Sequence, residues 1–241
     1  MHSLTTPSLR RRRPFRSAGR LLASAAAALV VVATLTAPTG APTVRAEPSP
    51  NPAPTWSGLD TRVWDQPIPA PGGVAATTPL DPSLSLPQAG TAVRQVYGTI
   101  DQHGQNAIAT SAVFLPHGTP PEGGWPVIAW AHGTTGLGDD CAPSTQPRSD
   151  RDAEYLGHWL DQGYAVVAAD YVGLGTPGLL SYLNGHAAAQ GIVDALIAAR
   201  ADGLPLSPTW ALVGQSQGAG AALVTATRAT GLGAPAGLDY R

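Results

Sequence analysis

Residues 209–221 read Thr209-Trp210-Ala211-Leu212-Val213-Gly214-Gln215-Ser216-Gln217-Gly218-Ala219-Gly220-Ala221. The run 210–213 is short, apolar and β-prone, and an alanine-rich helical pattern occupies residues 217–230. Strand, sharp turn and helix therefore follow one another within a few residues. At such a turn the two backbones pass in contact, so the positions two before and two after the serine must lack a Cβ, and Gly214 and Gly218 supply this. Ser216 then projects its Oγ above the sheet edge. The N–H of Gln217, at the helix N-terminus, faces the same space and can hold a developing oxyanion. In a chain with 28 glycines a bare Gly-x-Ser-x-Gly is also compatible with a structural turn. The strand before it and the helix after it favour a nucleophile.

Working backwards, the same alternation repeats. Residues 164–169 form an apolar run that ends at Asp170, and residues 186–201 give a helix with Ile192, Ala195, Leu196 and Ala199 on one face. Before them, Ser149-Asp150-Arg151-Asp152 resembles a capping box with Asp in the Glu position. Leu156, Trp159 and Leu160 follow at helical spacing, and Gly163 closes that helix. Residues 126–131 form another continuous apolar strand, as expected of a parallel strand covered on both faces. A β-prone run from residue 91, the turn-rich Asp101-Gln102-His103-Gly104-Gln105 and a second run, 107–115, predict an antiparallel hairpin. The order is that of an α/β, doubly wound, mostly parallel sheet with an N-terminal antiparallel hairpin.

Charge divides the chain. Residues 1–46 hold seven of the 14 basic residues, all arginines, and no acid; all 16 acids lie beyond them, and lysine is absent throughout. The acidic remainder argues against nucleic acid, whose phosphates it would repel, and offers no polybasic face to anionic lipid. An Arg-rich start, an apolar run at 21–35 and the small-residue ending Val44-Arg45-Ala46 read as an export signal. That run is shorter than the roughly 20 residues a spanning helix needs, so no permanent membrane span is expected once the signal is removed. Arg12-Arg13-Pro14-Phe15 has twin-arginine spacing, yet general secretion signals are also arginine-rich, and both routes stay open. The expected location is secreted or in the cell envelope. Residues 38–90 carry twelve of the 24 prolines. The expected organisation is therefore a signal at 1–46, a Pro-rich linker or irregular arm at 47–90, and an α/β domain at 91–241.

Four blocks together resemble the secretory lipase family of α/β-hydrolases. They are Val127-Ile128-Ala129-Trp130-Ala131-His132-Gly133-Thr134-Thr135-Gly136; Asp139-Asp140-Cys141-Ala142-Pro143-Ser144; the stretch from Asp170-Tyr171 to Gly178; and Gly214 to Gly218. The resemblance implies triacylglycerol lipase or esterase activity on a small-molecule ester or lipid, with no metal or organic cofactor. It makes Ser216 the catalytic nucleophile, gives one oxyanion N–H to Gln217 and, from the loop of Gly133, Thr134 and Thr135, a second to Thr134. Such donors suit serine attack on an ester, which passes through an anionic tetrahedral intermediate.

A serine of this kind needs a histidine base oriented by a carboxylate, and in this fold the chain order is serine, acid, histidine. All six histidines (2, 103, 117, 132, 158 and 186) precede Ser216, and Asp239 is the one acid after it. The resemblance therefore places the acid, the base and the remaining strands beyond Arg241, so the chain is expected to be truncated after the nucleophile helix and poorly active. Cys141 is the one cysteine; it is read either as half of a pair completed in that missing part or as a buried free thiol. His132 is expected to fix its loop by hydrogen bonding, and Asp170 to tie down the glycine loop after it. Two alternatives to the ester hydrolase remain: another serine acyl-transfer enzyme of the same fold, and a non-catalytic exported binding protein or remnant.

Overall fold

The structure, a computed structural model, describes residues 53–241; the export signal lies outside the described residues. Seven strands form one sheet in the order β1-β2-β3-β5-β4-β6-β7. They are β1 (Val74–Pro79), β2 (Ala89–Ile100), β3 (Asn106–Pro116), β4 (Trp125–Ala131), β5 (Ala165–Ala169), β6 (Leu206–Gly214) and β7 (Asp239–Tyr240). Three helices connect them: α1 (Asp150–Asp161), α2 (Gly185–Ala201) and α3 (Gln217–Gly233).

The predicted hairpin is β2 and β3, paired from Ala89↔Pro116 to Ile100↔Asn106. Asp101 closes its turn by accepting hydrogen bonds from the His103 and Gln105 amides. β3 joins β5 antiparallel, while β5, β4, β6 and β7 run parallel to their neighbours. The chain steps from β4 out to β5 and returns across β4 to β6. That reversal is the mark of a doubly wound sheet, and it puts the ends of β4 and β6 side by side at the carboxyl edge.

The strands' period of two sorts side chains between two cores. Trp130, Val166 and Ala168 face α1 through Leu156 and Leu160, with Phe114 and Leu84. Val127, Ala129, Ala131, Val167 and Ala169 face the other way, onto Ile192, Val193 and Leu196 of α2 and Ala221 and Ala229 of α3. Covering side chains such as Ile192 and Leu196 contributes about 1.5–3 kcal/mol each. Ser149 caps α1 by accepting from the Asp152 N–H, and Asn184 caps α2 by accepting from the Ala187 N–H.

Two features differ from the sequence reading. Regular structure begins at Val74, not near Thr91, because β1 pairs antiparallel with β2. β1 is an edge strand flanked by prolines, and its weak alternation hides it in a Pro-rich stretch. Of the two readings of the Pro-rich stretch, linker or irregular arm, the described part of it, before β1, is a packed arm. Buried Arg94 donates to the carbonyls of Leu59 and Trp56 (2.6 and 3.3 Å), to Thr61 Oγ1 (2.9 Å) and to Ser144 Oγ (3.0 Å). β6 also starts earlier than expected, at Leu206, and β7, a two-residue strand, pairs with it at Thr209 and Trp210. Among the described residues, 211–214 are paired only on the β4 side, which leaves them half-buried instead of covered on both faces.

Candidate active site

Ser216 lies between β6 and α3 with φ +53° and ψ −116°, one of three non-glycine residues at positive φ among those described. Such backbone costs on the order of 1–3 kcal/mol and persists only where its surroundings impose it. Here they do. A Cβ on Gly214 would fall onto the Gly218 carbonyl, and one on Gly218 would fall onto the Ala131 carbonyl at the end of β4. Gln215 N–H donates to that same Ala131 oxygen at 3.1 Å, locking the turn against the neighbouring strand. Ser216 is exposed at the apex.

The loop after β4 approaches from the other side. Gly133 lies so close to the Gln215 side chain that a Cβ there would collide with it. Thr134 Oγ1 donates to Gln217 Oε1 at 3.1 Å and meets Tyr182 Oη at 3.0 Å. Among the described residues, neither the Thr134 N–H nor the Gln217 N–H has an acceptor. The turn is flanked by two hollows. A polar cleft of about 350 Å³ is lined by His132, Gly133, Thr134, Arg148 and Gln215. An apolar groove of about 270 Å³ is lined by Gln217 with Leu183, Ala188, Gly220 and Val224.

His132 is 3 % exposed, and its Nδ1 lies 2.6 Å from the Gly133 carbonyl, to which it donates. Burial pushes its pKa down, against the opposing pull of Asp170, so the ring is neutral at pH 7. Its Nε2 has no hydrogen-bond partner among the described residues, and the ring stacks on Tyr171 at 4.3 Å between centroids. Tyr171 Oη in turn donates to the His132 carbonyl at 2.8 Å. His132 thus holds the loop and makes no hydrogen bond to Ser216.

Asp170 does a different task from the one expected. It accepts from Thr110 Oγ1 at 2.6 Å and from the Ser144 N–H at 3.2 Å, so it ties β3 and the loop after Cys141, not the glycine loop that follows it. The glycine loop is held instead by Thr176, whose Oγ1 accepts from the Gly173 N–H at 3.0 Å. Asp239 pairs with Thr209, at the opposite end of β6 from Ser216, and its carboxylate bonds Arg241 at 2.6 Å. Cys141 is free and half-buried against Gly136. Among the described residues, no cluster of three His, Cys, Asp or Glu side chains is arranged to hold a metal, and no helix is long and apolar enough to cross a membrane.

Tyr182 was not among the site residues expected from sequence. Its loop carries no pattern, and only the fold brings it to Thr134, 48 positions away.

No family model matches the sequence, and no curated protein matches it. Solved structures do. Candida antarctica lipase A in its closed state superposes with a TM-score of 0.57 at 23 % identity, over 71 % of this chain and 41 % of the lipase. The rice cell wall degrading esterase LipA from Xanthomonas oryzae gives a TM-score of 0.55 at 28 % identity, over 68 % of this chain and 47 % of the esterase. The chain therefore spans less than half the length of either. In the arrangement of its sheet and helices, the chain has the α/β-hydrolase-like fold of these lipase and esterase structures.

Proposed function

We propose that the chain is an exported serine hydrolase of carboxylic esters that reacts through an acyl-enzyme on Ser216. The observation that carries this reading is the pairing of a strained, exposed serine with two N–H groups, of Thr134 and Gln217, that have no acceptor of their own. Such a pair suits the anionic oxygen of a tetrahedral intermediate, and losing one preset donor typically costs about 3 kcal/mol of barrier lowering. The cleft beside Gln215 and the apolar groove beside Gln217 offer room for the two halves of a small ester.

The described residues bring nucleophile and oxyanion donors together but no base to Ser216, since His132 is committed to its loop. On this reading, slow ester turnover by the chain alone and its acceleration by added imidazole, acting as the base, are the expected outcomes. The test is incubation with p-nitrophenyl butyrate with and without imidazole, followed by peptide mass mapping. Acylation at Ser216 that is absent in Ser216→Ala supports the reading. That no base is bonded to Ser216 among the described residues also favours a second reading, a protein that binds esters without turning them over. Saturable ester binding with no acyl group on Ser216 in imidazole would select it.

A further inference from the structure

Three elements meet at Thr134 through side chains alone. Gln217 Oε1 can only accept, so the single proton of the Thr134 hydroxyl is donated to it, and the 3.0 Å contact with Tyr182 must then be a donation from the Tyr182 hydroxyl to Thr134 Oγ1. The result is a directed chain, Tyr182 to Thr134 to Gln217. It links the loop before α2, the loop after β4 and the first residue of α3.

Tyr182 is itself held. The Ser181 N–H donates to the Val172 carbonyl at 3.2 Å, Ser181 Oγ bonds the Gln102 side chain, and the Tyr182 N–H donates to the Leu180 carbonyl at 2.8 Å. Leu183, next in the chain, is forced to φ +57°, a conformation that leucine avoids. That residue joins the anchored Ser181 to the Asn184 cap of α2. Between these two fixed points a strained joint carries the Tyr182 ring, 43 % exposed.

We propose that Tyr182 is a positioning residue for the oxyanion donors: through the Thr134 hydroxyl it fixes the loop that carries the Thr134 N–H relative to the helix that carries the Gln217 N–H. This rests on the ester-hydrolase reading, in which those two N–H groups act together. The tyrosine touches neither the ester nor Ser216. It acts on the distance between the donors, which matters because catalytic donors work only at a preset separation.

The test uses the full chain with Tyr182→Phe, which removes one hydroxyl, alongside Thr134→Val and the conservative Thr134→Ser. The first readout needs no activity: the ¹³C shift of the Thr134 γ-methyl reports its rotamer, and the amide signals of Thr134 and Gln217 report the donors. Tyr182→Phe should move all three while leaving Tm within about 1 °C, since the hydroxyl is at the surface. The second readout is imidazole-supported acylation of Ser216. There the maximal rate should fall about tenfold in Tyr182→Phe and more in Thr134→Val, with half-saturation within about twofold of the parent and Thr134→Ser close to it.

Unchanged Thr134 and Gln217 signals in Tyr182→Phe overturn the proposal whatever the activity. An unchanged maximal rate, with the parent chain acylated, overturns it too and leaves the ester reading intact. If the parent chain is not acylated while the signals move, the ester reading fails and the mechanical link among the three residues stands.

Discussion

Gly218 of α3 lies so close to the carbonyl oxygen of Ala131 that a Cβ would occupy the oxygen's place. This contact fixes how near α3 comes to β4, and through it the height of Ser216 above the loop of Gly133 and Thr134. The obstacle is backbone on a buried central strand, which cannot swing aside as a flexible side chain would.

Gly218→Ala should therefore destabilise the chain by about 2–3 kcal/mol or force α3 outward, as overpacking of a tight contact does. Gly220, two residues on in the same helix, faces open space, with nothing within 4 Å of where a Cβ would stand. Gly220→Ala should stabilise by about 0.5–1 kcal/mol through helix propensity alone. Urea denaturation of both variants gives opposite signs if the helix is seated as described.

Ser216 holds its own backbone in a costly region. Ser216→Gly relieves that strain and should raise stability by about 1 kcal/mol or more, while abolishing acylation. Thermal unfolding of Ser216→Gly beside Ser216→Ala isolates the backbone contribution, because both lack the hydroxyl and only glycine relaxes φ.

Asp194 on α2 is buried, and burial raises its carboxyl to about 6, against the pull of the Thr99 hydroxyl and Gln190 amide. Its folded value exceeds its unfolded one, so the folded chain binds more protons between about pH 4 and 6. Stability accordingly falls as pH rises through that window, by on the order of 2–3 kcal/mol, and stays lower above it. In Asp194→Asn this step should disappear and the chain should be more stable than its parent at pH 8. Urea midpoints at pH 4, 6 and 8 for the two proteins check the sign.

Arg94 binds the arm through three hydrogen bonds to neutral oxygens, donates a fourth to Ser144 Oγ in the loop after Cys141, and lies over the Trp56 ring at 5.4 Å. Arg94→Leu leaves those acceptors without their donor and should cost about 2–4 kcal/mol. Cleavage by a protease within residues 53–62 should then precede global unfolding, which N-terminal sequencing of the fragments would reveal.

Much of the fold was legible because its signals are local. The turn at Gly214, Ser216 and Gly218 announces itself through steric need, and the runs that became β4 and β5 are apolar without interruption. The hairpin of β2 and β3 was legible from its turn residues around Asp101. β1 and β7 were not. A six-residue edge strand among prolines and a two-residue strand carry too little pattern, and each is defined by its partner. The site divides in the same way. Ser216 and Gln217 are neighbours in sequence and could be read together, whereas Tyr182 and the true partners of Asp170 depend on contacts 48 and 60 positions apart. Chemistry carried by long-range hydrogen bonds leaves no spacing to read.

The most direct test of the central claim is transfer of the butyryl group from p-nitrophenyl butyrate to Ser216 in the presence of imidazole, read by mass on the intact chain and mapped to a peptide. The account predicts one acyl group, on Ser216, formed faster as imidazole is raised and absent from Ser216→Ala. Equal acylation of the parent and of Ser216→Ala, or an acyl group mapped to another residue, would contradict it.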